Sequence, residues 1–363
     1  MFKYNHYVPI LKGKAGEFNA LAQLYSKTRP FLTPMIDVPR IPLDKEGVHK
    51  KVIDIHLLHI ARNIKNCWGN MNPIFIDLAD INLSERTVDG DHPLNCIFKH
   101  LRRASIQAIP VAGTDRDDAY YKVIKEIIQK DKRGVCVRVL NDGEMDDVQE
   151  LNNRLDELLQ DLNVSRNNAH LLLDFKDIRN NDIEKVKRKV IRIIDELPGI
   201  SDWQTLTVAA SGYPESLPSS IVERDKTCMI ERKEFILWES IINNAKLRRI
   251  PSFGDYGVVN PILLDTNLKS TKPNAKIRYT VAKDWLIVKG HNVREDPKQY
   301  HELAKRLFIS KEYIGQQFSW GDNFIAKVAE RSVGCGYLPK WVTVDTNHHL
   351  TFVSEQIANT ALS

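Results

Sequence analysis

NPIFIDLADINLSERTVDGDHPLNCIFKHLRRASIQAIPVAG, residues 72–113, carries the reading on which the fold turns. It opens and closes on short apolar runs, NPIFIDL (72–78) and QAIPVAG (107–113), that are apolar on both parities. A strand covered on both faces reads that way. Between them HPLNCIFKHLRRAS has helical spacing, and His92 before Pro93 marks its start, because proline suits the first helical turn. The stretch therefore predicts strand, helix, strand, with the two strands parallel.

The same unit recurs on either side. YVPILK (7–12), LTPMIDV (32–38), GVCVRVL (134–140), HLLLDF (170–175) and QTLTVAAS (204–211) are further strand candidates, and an eighth lies in Arg249–Val259. Helical segments separate them, among them DDAYYKVIKEIIQKD, whose acidic start suits a helix N-terminus. Seven or eight such units imply a parallel sheet with right-handed crossovers. Eight close most naturally into a (β/α)8, TIM-like barrel of about 250 residues. The alternative is an open doubly wound α/β sheet, yet LKGKAGEF after the first strand has neither glycine-rich phosphate-loop spacing. From about Leu264 the pattern changes to a hairpin, IRYTVAKDWLIVKG, short helices, and WVTVDTNHHLTFVSEQIAN, read as a turn at His348–His349 before a closing helix. The division expected is a barrel core over 1–263 and a C-terminal elaboration over 264–363 that completes or caps it.

Composition narrows the class. The 363 residues are 42% hydrophobic and 27% charged, ordinary for a globular chain. No apolar run is long enough to span a membrane and the first residues lack a signal-peptide core, so a cytoplasmic protein is expected. Five widely spaced cysteines without a C-x-x-C fit reduced thiols. The net charge of +5 is uneven: residues 246–310 hold 13 Lys/Arg against 6 Asp/Glu. That run includes Lys246, Arg248, Arg249, Lys269, Lys272, Lys276, Arg278, Lys283 and Lys289. It reads as a face for nucleic acid, nucleotide or an acidic protein, or as a plain solvated surface.

In a barrel of this kind, function gathers at the C-terminal ends of the strands. There the sequence places Lys12, Asp37, Asp77, Asp80, Asp115, Arg138, Asp174, Lys176, Tyr213, Asp255 and Tyr256. Charges inside apolar runs are costly unless paired or liganded. Asp77, Asp174 and Asp255 are candidate catalytic residues and a candidate Mg²⁺ or Mn²⁺ set, since both ions prefer oxygen. Lys12, Arg138, Lys176, Tyr213, Tyr256 and Arg278 are candidate phosphate or ligand contacts. His348 or His349 is a candidate acid/base. The competing reading is an internal network in which Arg138 and Lys12 neutralise the aspartates. His56 and His59 lie one turn apart on a helix, a spacing that fits two metal ligands, but a helix on the barrel exterior makes surface or core histidines the better reading. Serine- and cysteine-hydrolase motifs are missing.

YVPILKGKAGEF, PMIDVP, FIDL, AIPVAGTDRD and LLLDF resemble the phage and prophage "protein beta" family. RRIPSFGDYG, IRYT, DWLIVKG, FSWGD and TNHHLTF are similar to it as well. The resemblance runs over essentially the whole chain. It implies a place on prophages, phage satellites and genomic islands, in cargo linked to anti-phage defence or toxin–antitoxin-type cassettes, and it implies no catalytic residues. Two functions are therefore expected in competition. One is a defence component that binds a protein encoded by a neighbouring gene. The other is a metal-dependent phosphodiesterase, nuclease or nucleotide-processing enzyme. Plain nucleic-acid binding is a third. The first two differ in whether the rim charges pair internally or surround an open site.

Overall fold

A computed structural model describes residues 3–42, 51–70, 72–244, 246–262 and 273–360. Eight parallel strands close into a barrel, as the repeated units predict. They are β1 (Tyr7–Leu11), β2 (Met35–Asp37), β3 (Ile74–Asp77), β4 (Ala108–Gly113), β5 (Val135–Leu140), β6 (Ala169–Asp177), β7 (Thr205–Ser211) and, closing on β1, β9 (Ser252–Asp255). Helices α1 (Ala15–Ala22), α2 (Ile53–Trp68), α3 (Pro93–Arg103), α4 (Asp118–Asp131), α5 (Val148–Leu162), α6 (Ile183–Glu196) and α7 (Lys233–Ile242) follow the first seven strands. Their starts are written in side chains. His92 Nδ1 accepts from the Leu94 amide, and Asp117, Asp147 and Asp182 cap α4, α5 and α6; each such cap satisfies amides that a helix start leaves without partners.

Alternation along the strands sorts the residues into two cores. Val8, Ile10, Met35, Phe75, Ile109, Val111, Cys136, Leu172 and Ala209 fill the barrel interior. Their strand neighbours Tyr7, Leu11, Ile36, Ile74, Ile76, Val137, Leu171, Leu173 and Phe253 pack outward against the helices. All five cysteines are unpaired. Among the described residues no helix is long and apolar enough to cross a membrane.

The eighth helix comes late. Between β9 and α10 (Leu338–Ala358) the chain inserts β10 (Asn274–Thr280), β11 (Asp284–Asn292), α8 (Tyr300–Phe308) and α9 (Trp320–Ala329). The expected hairpin is β10–β11, and β8 (Thr227–Glu231), taken from the β7–α7 connection, adds a third antiparallel strand. The cap thus draws on residues before 264, and the expected boundary at 263/264 lies outside the described residues.

The expected turn at His348–His349 is a correction: both lie inside α10, which is continuous from Leu338 to Ala358. Its β-branched and polar residues obscure the helical period, because α10 is buried nearly all round between α1, α9, β1 and β10. A Cβ at Gly16 of α1 would stand 2.7 Å from Val342 Cγ1, so glycine allows the two helices to touch. Asn347 ties three helices together, donating to the Ala20 carbonyl at 3.0 Å and accepting from the Gly321 amide at 2.9 Å.

Candidate functional site

Strand parity decides which charges meet. Lys12, Asp37, Asp77, Arg138, Asp174 and Tyr256 share the inward parity of the interior apolar residues and form its top layer, at the C-terminal end of the barrel. Arg138 is at the centre. Its Nη1 donates to Asp37 Oδ1 and Asp77 Oδ2, both at 2.8 Å. Its Nη2 donates to Asp174 Oδ2 and to the Tyr256 hydroxyl oxygen, both at 2.8 Å, and its Nε to Asp174 Oδ2 at 3.0 Å. A guanidinium has five N–H groups, and all five are used. Tyr256 in turn donates to Asp174 Oδ2 at 2.5 Å.

Two further cations complete the layer. Lys12 Nζ donates to Asp37 Oδ2 at 2.7 Å, lies 3.7 Å from Asp80, and sits over the Tyr256 ring. Arg116 Nη2 donates to Asp77 Oδ1 at 3.0 Å. Three buried carboxylates face three buried cations, and the side chains of Asp77 and Asp174 are 0% exposed. Burial pushes the Asp37 carboxyl up, but Arg138 and Lys12 outweigh it and hold it below its usual range. The Asp80 carboxylate is left at the edge of the network with one buried oxygen that accepts no hydrogen bond.

Asp255 is not part of this layer, and the metal expectation fails on that point. Its strand neighbour Tyr256 points in, so Asp255 points out, toward the helices. There it accepts from Tyr7 Oη at 2.5 Å, the Gly257 amide at 2.9 Å and His349 Nε2 at 2.9 Å. Those donors outweigh burial and keep its pKa low. Asp77 accepts from Arg138, Arg116 and the Ala79 amide, and Asp174 from Arg138, Tyr256 and the Lys176 amide. Among the described residues no group of three His, Cys, Asp or Glu is placed to hold a metal ion.

The histidines divide between two seams. His349 bridges Asp255 and the Thr280 hydroxyl, 2.7 Å from its Nδ1. A neutral imidazole donating to Asp255 from Nε2 accepts the Thr280 proton at Nδ1. Burial lowers the pKa of His349 and favours that neutral form. The order Thr280, His349, Asp255 resembles a nucleophile, base and orienting acid, but Thr280 and His349 are 0% exposed, so no substrate reaches the hydroxyl. His348 instead faces the cap. It joins Asp322 Oδ2 and the Thr280 carbonyl, both at 2.9 Å, and stacks on Tyr279 at 3.7 Å between centroids. In SWGD, Ser319 caps α9 and Asp322 also accepts from Tyr279 at 2.7 Å.

The remaining candidates lie apart. Arg278 is buried against Asp345 at 2.7 Å and donates to the Val258 carbonyl at 3.0 Å. Burial pushes Asp345 up to about 6 despite that pair. Tyr213 packs edge-on against Trp285 in the cap. Lys176 is exposed, and only its backbone amide touches Asp174, at 2.9 Å.

The basic run of 246–310 is likewise not one face. Arg278 and Lys289 are buried, Lys289 donating to the carbonyls of Leu217 and Val222 at 2.7 Å. Arg249 is spent on the carbonyls of Ile200, Trp203 and Gln204, and Lys283 pairs with Glu239. Lys269 and Lys272 lie outside the described residues. Sequence reasoning also overlooked Arg116 and Tyr7. The charge directly after β4 in GTDRD pointed to the first; nothing in the run of apolar residues pointed to the second.

Comparison with known proteins adds one finding. A family model described as Beta protein matches residues 7–355, nearly the whole chain. A search of curated proteins returns no match.

Proposed function

The chain belongs to the Beta protein family, and from that premise we propose that it is a partner-binding component of an anti-phage defence or toxin–antitoxin-type cassette, not a metal-dependent hydrolase. The observation that carries this reading is the saturation of Arg138. With all five N–H groups on Asp37, Asp77, Asp174 and Tyr256, the layer holds its own charges in balance. A phosphate would have to displace a carboxylate from Arg138, and a divalent cation would have to displace Arg138 from the carboxylates. Both exchanges break a buried, paired charge, and such breakage costs about 3–5 kcal/mol. The barrel is then a rigid scaffold, and recognition falls to its outer surface, where Lys246 and Arg248 remain exposed.

Native mass spectrometry of the protein co-expressed with its genomic neighbours tests the proposal. A stoichiometric complex with one neighbouring protein, weakened by Lys246→Glu with Arg248→Glu, is the expected result. A chain that keeps no partner and cleaves a phosphodiester when Mg²⁺ or Mn²⁺ is added, with the cleavage lost in Asp77→Asn, would overturn it.

A further inference from the structure

The outer surface of the barrel is unevenly apolar. From Pro93 to Ser220, over α3, α4, α5 and α6, no large hydrophobic side chain is exposed. Just before that stretch Val88 is 79% exposed, and on α2 Ile55 is 47% exposed. The two belong to one spot, because the Val88 amide donates to Asp54 Oδ2 at 3.1 Å. Leu58, half-buried, continues the spot along α2. Single apolar side chains on a surface need no explanation, but a cluster of them marks a place where something binds.

The spot lies in a groove between α2 and α3. Open clefts of about 270 Å³ and 410 Å³ follow one another along it and share Leu58, His100 and Arg103. Asp54, Leu58 and Arg62 recur at four-residue steps, so α2 presents all three on one face. Charge changes sign along the groove. Asp54, Asp89 and Asp91 line the end at which both helices start. Arg62, Lys65 and Arg103 line the end at which they finish, where no acidic side chain does so among the described residues. Burial, and then the neighbouring Arg103, Lys99 and Arg62, lower the pKa of His100 in this crowd of cations. Acids at a helix start and bases at its end suit the dipole of each helix. That preference does not account for the apolar side chains left in water between them.

A surface that runs from acid through apolar to base is complementary to itself when reversed, which is the requirement of a two-fold contact. We propose that this face binds a second copy of the chain, with the two α2 helices antiparallel across a two-fold axis. Leu58 then meets the partner subunit's Leu58 at the axis, and Ile55 meets the partner subunit's Ala61. Asp54 meets the partner subunit's Arg62, and the same reversal brings Asp91 toward the partner subunit's Arg103. The apolar middle becomes the dry centre of the contact and the charges become its polar rim. A different protein would have to bring a matching gradient of its own, whereas a second copy carries it by construction. The face is separate in sequence from Lys246 and Arg248, so this proposal stands or falls apart from the binding of a neighbouring protein there.

Sedimentation equilibrium of the full chain tests the contact, and a dimer is the expected result. Asp54→Lys or Arg62→Glu alone sets like charges against each other and should weaken the dimer by at least about tenfold. An equimolar mixture of the two variants restores opposite charges at both pairs and should dimerise as the wild type does. Leu58→Glu should leave a folded monomer. Leu58→Cys should give a covalent dimer on oxidation that neither the wild type nor Ile55→Cys gives, because only position 58 meets itself. A wild type that stays monomeric at submillimolar concentration would overturn the proposal. So would a dimer indifferent to Asp54→Lys and Arg62→Glu, a mixture no stronger than either variant alone, or a monomer whose groove takes an amphipathic helix of another protein instead.

Discussion

The closed end of the barrel and the seam between barrel and cap solve the same problem in different ways. Both bury aspartates almost completely. At the barrel end, Asp37, Asp77 and Asp174 face Arg138, Arg116 and Lys12, cations that keep their charge across the physiological range. At the seam, Asp255 and Asp322 face His349 and His348, and burial lowers the pKa of His349. The first arrangement balances its carboxylates with cations whose pKa is raised by those same carboxylates. The second ties the cap to the barrel through groups that protons can disturb.

Arg138→Met breaks the comparison most severely. It leaves three buried carboxylates short of their shared cation, and unfolding in denaturant should show a loss of about 3–5 kcal/mol, or a chain that does not fold. A stable, well-folded variant would mean that the layer is not holding the barrel end together.

Glu234 sharpens the seam's side. It sits at the start of α7, 3.4 Å from Arg232 and accepting from the Gly212 amide at 3.0 Å, and burial still pushes it up to about 7. A carboxyl with a raised pKa in the fold gives stability that is full below its ordinary value of 4.5 and is lost as pH rises to about 7. Relative to Glu234→Gln, the wild type should therefore lose about 3 kcal/mol of unfolding free energy over that interval. Parallel curves would show that Glu234 is ionised in the fold.

His349 works in the opposite direction. Its pKa is lowered in the fold, so its stability is present above 6.5 and lost as pH falls from there through the lower folded-state pKa. His349→Leu should cost about 1–3 kcal/mol at neutral pH by stranding Asp255 and Thr280, and should remove that acid sensitivity. An unchanged acid limb would place the seam's weakness elsewhere. The smallest effect expected is that of Ser319→Ala, which removes the α9 cap at a cost of about 0.5–2 kcal/mol; thermal unfolding should shift with the barrel end untouched.

The barrel was legible because its strands are apolar on both parities and its helices begin at His92, Asp117, Asp147 and Asp182. β8 was not, since TCMIE alternates between exposed and half-exposed and buries no full face. Helix α10 was hidden by its own burial, which removes the polar stripe that reveals a surface helix. The charged rim was legible residue by residue, because an aspartate or arginine inside an apolar run stands out. Its grouping was only half legible. Alternation assigns Asp255 and Tyr256 to opposite faces, so parity alone separates Asp255 from Asp77 and Asp174, whereas Arg116 enters from a loop that carries no period. The basic run misled for a related reason: Ala275, Ile277 and Tyr279 of β10 point into the cap core, and the opposite face is covered as well, so Arg278 is buried on it.

The central claim is that the rim aspartates serve the fold. Denaturant unfolding of Asp174→Asn beside the wild type tests it most directly, because that change keeps the shape and removes the charge that Arg138 and Tyr256 both bind. The account predicts a loss of at least about 2 kcal/mol. Stability equal to the wild type within about 0.5 kcal/mol would contradict it and return Asp174 to the list of groups held ready for chemistry.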